Sequence, residues 1–318
     1  GNSITQSIDV HLNSGHINGI RKFKLLRLNT RGNFKDEIFL TELLREFNYL
    51  SPRTNYIDTK INEHESKMLF QEKPSRELLE FNKRKEGPIF EGDERFMFSV
   101  EYKNSYGIIT TQPSLTRQTN AKWALKSPQH ENISHEAITL FNIFYLKSRS
   151  SENLNGTFKE YNLNILDSNL LVPNNPQQVL NMDIYNAIIF GVNGSHGLAQ
   201  RNKKIYWNSI NNFFEPIYYD GNSNVLSYIK YDFYTGRFQN IFEDFKKIKN
   251  LNLKDFRNYK KKNQKLNNYP PVSNIARKGA NIAFTKLQKI DKDLLLKNLH
   301  NNGFKNISKN QIKTIINN

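Results

Sequence analysis

The spacing of apolar residues changes period along this 318-residue chain, and the order of the changes restricts the fold class. Residues 7–12 and 22–28 alternate as strands do, joined by a Gly/Asn/Ser turn across 13–19. Residues 36–47 switch to helical spacing, with Ile38, Phe39, Leu43, Leu44 and Phe47 on one amphipathic face. Asn33 or Asp36 is placed to cap that helix. Residues 55–61 and 67–71 return to strand character around a turn at 62–66, and 75–84 reads as a short helix. Helices at 131–147 and 181–191 follow, and then a hairpin pairs 205–208 with 215–219 through Asn211 and Asn212. Beyond about Tyr228 the pattern is helical and basic. Strands, helix, strands and then mostly helices predict an α+β fold, with a small sheet-rich lobe and a larger helical lobe.

Composition excludes several function classes. The 22 Phe and 15 Tyr are too many for a disordered chain. The absence of cysteine rules out a disulfide framework, a thiol nucleophile and a Cys-based metal site. A formal charge of +16 points first to nucleic acid. The 45 asparagines, with abundant Lys and Ile, mark AT-rich coding and discount that charge as chemistry. The excess is also local: residues 240–318 hold 18 Lys plus Arg against 5 Asp plus Glu, and the rest is nearly balanced. The densest run is Lys260, Lys261, Lys262 and Lys265. Across 246–313 the charges are interleaved with Phe256, Tyr259, Tyr269 and Phe284. Such a segment suits single-stranded nucleic acid, or an anionic lipid or glycan. It also suits a solvated helical surface whose aromatics face inward, and AT-rich coding favours that second reading. The longest central apolar stretch, 187–192, is far short of the roughly 20 residues of a membrane span. The chain starts at Gly1 without Met or a signal segment, which reads as a processed form or a fragment and leaves the compartment open.

Two segments carry chemistry. His196-Gly197-Leu198-Ala199-Gln200-Arg201-Asn202 is followed by the hairpin, and Tyr218-Tyr219-Asp220-Gly221 follows the hairpin's second arm. Asn202 and Asp220 lie on opposite arms, so they can converge on one cation, and their oxygen donors suit Mg²⁺. A loop Asn, a hairpin and then Asp-Gly is the layout that holds the metal ions bridging ATP phosphates in kinases. The run 21–28 supplies the other half: a strand with Lys22 and Lys24, followed by a helix offering Glu37, Glu42 and Glu46. Lys24 is the first choice for the ATP lysine and Lys22 the second; they share a parity, so alternation does not separate them. For each of these residues the plain alternative is a turn or a solvated surface charge. The acid-rich segment 86–95 reads as a solvated loop that could line a cleft, and His130 and His135 are five apart, on different helix faces. No P-loop, dinucleotide fingerprint, HExxH or GxSxG is present.

The ordered set resembles the CotH-type (spore-coat) atypical protein kinases. The resemblance rests on the helix at 36–47, then Leu50-Ser51-Pro52-Arg53-Thr54, Ile61-Asn62-Glu63 and Leu69-Phe70-Gln71-Glu72, and on the loop-Asn, aromatic strand and Pro-x-x-x-Asp of the later hairpin. It spans roughly 21–227 with an unmatched middle. It implies a two-lobed kinase-like fold and phosphorylation of a protein, small-molecule or glycan acceptor with ATP and Mg²⁺ or Mn²⁺. By the resemblance Asn202 and Asp220 are metal ligands. Lys24, Lys22, Glu37, Glu42 and Glu72 lie on the ATP side, and His196 and Arg201 in the catalytic-type loop. One departure matters: Gly197 stands where the kinase loop carries its catalytic Asp, leaving His196 as the candidate base.

The expected organisation is an N-lobe over 1–100, a C-lobe over 101–235 carrying the loops 196–202 and 216–222, and a basic helical extension over 236–318. The expected function is an ATP- and metal-dependent phosphoryl transferase. The alternatives are a kinase-like pseudoenzyme acting as a binding module, and a nucleic-acid-binding protein acting through its basic last quarter.

Overall fold

The computed structural model describes residues 6–31, 33–92, 102–103, 109–110, 116–153, 175–192, 194–198, 202–225 and 274–317. It is an α+β structure built on two antiparallel four-stranded sheets and several helices. The first sheet holds β1 (Ile8–His11), β2 (Lys22–Arg27), β3 (Thr54–Ile61) and β4 (His64–Glu72) in the order β1-β2-β4-β3. The β3–β4 turn is only Asn62-Glu63, with φ of +47° and +65°. Two consecutive left-handed residues match the twist of a two-residue hairpin, and asparagine tolerates that conformation well.

Helix α1 (Phe34–Glu46) joins β2 to β3, and Asn33 caps it by accepting from the Lys35 amide at 3.0 Å. The sequence predicts an amphipathic helix with one apolar face here. In the structure every residue from Asp36 to Leu44 is buried, so α1 is a central helix enclosed on all faces. Its acidic residues are tolerated inside because each has a partner. Asp36 accepts from the Val225 amide at 3.0 Å, and Glu42 accepts from Asn302 at 2.7 Å and pairs with Arg45.

After α2 (Arg76–Phe81), the second sheet collects β5 (Ile89–Gly92), β8 (Thr116–Gln118), β9 (Lys204–Asn208) and β10 (Phe213–Ile217) in the order β10-β9-β5-β8. Between β5 and β8, β6 (Tyr102–Lys103) pairs with β7 (Ile109–Thr110). The segment expected as a solvated acidic loop thus contains a core strand, with all four β5 residues buried. Ile89 and Phe90 supply the apolar surface, and Glu91 is neutralised by Arg117 and Lys204. The helix α3 (Pro128–Asn153) covers this sheet through Phe141 and Phe144, which meet Phe214 at ring distances of 5.3 and 5.9 Å.

The C-terminal quarter is not a surface appendage where it is described. Helices α5 (Asn274–Lys289), α6 (Lys292–Asn301) and α7 (Lys309–Asn317) share one core with α1, with α4 (Pro176–Gly191), and with Leu198 and Tyr218. Ala283, Leu295, Leu299, Phe304, Ile307, Ile312 and Ile316 are the inward residues, while Lys286, Lys289, Lys297 and Lys313 are exposed. The Lys260–Lys265 cluster and Phe256, Tyr259 and Tyr269 lie outside the described residues. No helix among the described residues is long and apolar enough to cross a membrane.

Gly303 shows how closely this quarter docks. Its φ is +87°, the Asn302 carbonyl accepts from the Tyr56 amide at 3.0 Å, and a Cβ on Gly303 would lie 2.9 Å from the Tyr56 Cβ. Gly303→Val combines left-handed strain with a backbone clash and is expected to cost about 2 kcal/mol or more. Urea unfolding should show a lower midpoint with an unchanged slope.

Candidate functional site

A cleft of about 1060 Å³ opens between the two sheets. Its walls come from β1 and β2, the segment 73–77, the segment 117–126 that contains a short 3-10 helix (Ala121–Lys126), and the two arms of the β9–β10 hairpin. Ten lysines and arginines against five carboxylates line it, which gives the cleft a net positive charge.

Register explains which predicted residues reach it. In β2, Lys24 lies opposite Gln71 and Phe23 opposite Glu72. Side chains alternate across a sheet, so Lys22 and Lys24 take the cleft side and Glu72 the other. Glu72 is buried there, accepting from the Arg53 backbone amide at 3.1 Å and pairing with its guanidinium. Both lysines line the cleft, and Lys24 reaches furthest, with its Nζ 5.7 Å from the Tyr219 ring centroid. Glu42 faces Asn302 and Arg45, away from the cleft.

The expected Lys–Glu pair between strand and helix does not form among these residues. Glu37 is fully buried and accepts from Gln71 Nε2 at 2.6 Å and from the Tyr218 hydroxyl at 2.6 Å. Arg31 takes the position next to it. The Arg31 Nε donates to Gln71 Oε1 at 3.3 Å, and its other arm pairs with Asp220. Burial works against the Arg31 charge, and nearby Tyr219 and Asp220 outweigh it, so its proton is held more tightly than usual. Burial also raises the Glu37 carboxyl to about 7, against the opposing pull of Tyr218, Arg31 and Gln71. A continuous relay therefore runs Asp220–Arg31–Gln71–Glu37–Tyr218, from the cleft to the core.

His196, Asn202 and Asp220 come together. The Asn202 Nδ2 donates to the His196 carbonyl at 3.0 Å and lies 2.9 Å from His196 Nε2, which is 3.9 Å from Asp220 Oδ2. With Nδ2 so engaged, the Asn202 Oδ1 is the atom available to a cation. Asp220 sits at φ +54°, an uncommon conformation for a non-glycine residue, stabilised here by the ion pair to Arg31. Arg201 lies outside the described residues.

Gly197 has a packing reason for being glycine. A Cβ there would lie 3.0 Å from the Gly221 Cα and 3.2 Å from the Tyr219 carbonyl. The loop at 195–198 nests against the backbone on both sides of Asp220, and an Asp at 197 would push that backbone away. Gly221 is tighter still: its Cβ would meet the Tyr218 ring at 2.7 Å.

Sequence reasoning missed Arg31 and Lys204. Arg31 lies in the turn before α1, where no periodicity operates. Lys204 shared a detectable signal, since it is two residues from Asn202 along an extended segment. Its side chain pairs with Glu91 and lies 4.8 Å from the Tyr219 ring, the same distance as the Arg31 guanidinium. Burial first, and then the charges of Lys24 and Arg31, lower the Lys204 ammonium to about 7. Three cations around one ring crowd each other, and an incoming anion would relieve that repulsion.

The donor set fits a magnesium-bound nucleotide. Among the described residues no group of three or more His, Asp or Glu is placed to hold a metal alone. Magnesium carried by phosphates needs only one or two protein oxygens, because phosphate and water complete its shell. The Asp220 carboxylate and Asn202 Oδ1 supply that number beside Lys24, Arg31 and Lys204. No protein-family model and no curated protein sequence matches this chain.

Proposed function

We propose that this chain is an ATP- and divalent-metal-dependent phosphotransferase with a two-lobed, kinase-like arrangement. The observation that carries the reading is convergence: Lys24, Asn202 and Asp220, from three separate segments, line one cation-rich cleft. The strand order β1-β2-β4-β3, with α1 inserted directly after the lysine strand, supports it, because that is where a kinase positions its lysine and partner helix. Asn202 Oδ1 and the Asp220 carboxylate would hold Mg²⁺ or Mn²⁺, and Lys24, Arg31 and Lys204 would grip phosphate oxygens. ATP, when bound, supplies the γ-phosphoryl group, which passes to an acceptor hydroxyl as ADP leaves. The His196 imidazole beside Asn202 is the nearest proton acceptor of the described loop. Positioning and charge neutralisation carry most of the rate in this chemistry, so the absence of a loop Asp lowers turnover without removing the binding site.

A second reading has its own observation. The close packing of Gly197 against Gly221 means that an acid at that position would have to displace the backbone beside Asp220, which favours a nucleotide-binding module without transfer. The two readings separate in one experiment. Mg-ATP is expected to raise the melting temperature, and γ-labelled ATP to label the protein or an added acceptor. A melting shift without label selects the binding module. The absence of any shift with Mg-ATP or Mn-ATP sinks both.

A further inference from the structure

The cleft holds more positive charge than a magnesium-bound triphosphate can balance. Lys24, Arg31 and Lys204 are committed to the phosphates in the reading above, on which this inference rests. A second group of cations remains at the rim: Arg21 and Lys22 at the start of β2, Arg76 at the start of α2, and Lys122 on the facing 3-10 helix. Arg21, Arg76 and Lys122 are exposed. Among the described residues no carboxylate forms an ion pair with Lys22 or Lys122; Arg76 pairs with the exposed Glu80, and Glu77 lies near enough to act on Arg76, Lys22 and Arg21. The exposed Arg76–Glu80 pair is weak and easily exchanged. The rim therefore sets four cations against two carboxylates, Glu77 and Glu80, and keeps a net positive charge.

The backbone beside it is also available. β1 is an edge strand that pairs with β2 alone among the described residues, and its Asp9 and His11, opposite Lys24 and Lys22, are on the cleft side. The single carboxylate on that edge, Asp9, is already neutralised by Lys73 at 2.8 Å. An open edge recruits an extended chain through main-chain hydrogen bonds, while side-chain pockets set its specificity. Apolar anchors are few along the lining, with Pro74, Ala121 and Trp123 the main ones, so charge has to supply the selectivity. The cleft lies at the upper end of the range for single small ligands, which leaves space for a peptide segment beside a nucleotide.

We propose that the acceptor is an extended acidic peptide segment that adds along the edge of β1, with its carboxylates among Arg21, Lys22, Arg76 and Lys122. A duplex nucleic acid does not fit a cleft of this size, and a neutral peptide leaves the rim charge unanswered.

The test is fluorescence anisotropy with a labelled peptide of alternating Ser and Glu, titrated without nucleotide. The acidic peptide is expected to bind, with affinity falling steeply as salt rises. Arg76→Glu with Lys122→Glu should weaken it about tenfold or more by placing like charges against its carboxylates. Lys122→Glu alone retains the test if the double variant is poorly folded, since Lys122 is exposed. N-methylation of alternate peptide amides should weaken binding by a similar factor, because strand addition needs those N–H groups. The proposal is overturned if the Ser-Glu peptide fails to bind, if a Ser-Lys peptide binds as well, if the variants or the N-methylated peptide bind unchanged, or if a single-stranded RNA of equal charge binds more tightly. Because no nucleotide is present, such a failure stands apart from a failure of Mg-ATP to bind, which would count against the phosphotransferase reading itself.

Discussion

Replacing Asp220 with asparagine is expected to abolish the thermal stabilisation by Mg-ATP while leaving the unliganded protein folded. The Asp220 carboxylate pairs with Arg31 and lies 3.9 Å from His196 Nε2, beside Asn202 and the cations around Tyr219. Loss of a partner one step removed from a metal already costs ten- to a hundredfold in affinity, so loss of the ligand itself should cost about a hundredfold or more. Asparagine keeps the size of the side chain and tolerates the left-handed backbone at φ +54°. Asp220→Ala should behave differently in one respect. Both variants remove the counter-ion of Arg31, whose side chain is only 7% exposed, but asparagine keeps an oxygen that can accept from the guanidinium, whereas alanine leaves that buried charge without any partner at this position. Removing one member of a buried pair costs about 3–5 kcal/mol when the pair is fully enclosed. Asp220 is 25% exposed, so solvent lowers the cost here to about 1–3 kcal/mol. The two variants together separate ligand binding from support of the network. Wild-type Mg-ATP stabilisation in Asp220→Asn would show that the nucleotide, if it binds, does so elsewhere.

The parts of this site that could be read from the sequence are those written in local periodicity. Alternation marked β2 and β4, the helical spacing marked α1, and the two short runs around Asn211 and Asn212 marked the hairpin that brings Asn202 and Asp220 together. The failures have a common physical cause, because each depends on a partner distant in the chain. Ile89 and Phe90 sit among acidic and turn residues, and only the pairing of β5 with β8 and β9 makes them a strand. The burial of α1 on every face follows from the docking of residues 274–317, whose lysines suggested an exposed extension. Glu37 was legible as a helix acid facing a basic strand. Its actual partners, Gln71 and Tyr218, come from β4 and from the end of the second hairpin, and no local pattern links those three positions. Gly197 read as a missing acid, whereas its close approach to Gly221 gives glycine a packing reason at that position.

Glu37→Gln is expected to stabilise the protein at pH 8 and to have little effect near pH 5. The folded-state carboxyl is raised to about 7 from an ordinary value of 4.5, with burial as the main cause. An acid with a raised folded value binds its proton in the native state over a window where the unfolded chain has released it. Stability is therefore fullest below about 4.5 and is lost as the pH rises through 7, by about 3 kcal/mol in all. The groups that face Glu37 are Arg31, which favours ionisation, and Asp220, which opposes it; Tyr218 and Gln71 bind its oxygens directly. Glutamine is neutral at every pH and matches the protonated acid in shape, so it removes the cost of a buried charge. It also removes the attraction to Arg31, and the net gain at pH 8 should therefore be about 1–3 kcal/mol. Paired urea titrations of wild type and Glu37→Gln between pH 5 and 8 isolate this one group, because every other titrating residue is common to both. A difference that stays flat with pH, or that favours the wild type at pH 8, would mean that Glu37 is ionised throughout and that its pairing with Arg31 outweighs its burial. The relay from Asp220 to Tyr218 would then be a salt-bridged structural tie. If the difference grows with pH as expected, the relay holds a carboxyl that releases its proton near neutrality, and the charge on Arg31 beside the cleft is felt differently on the two sides of that transition.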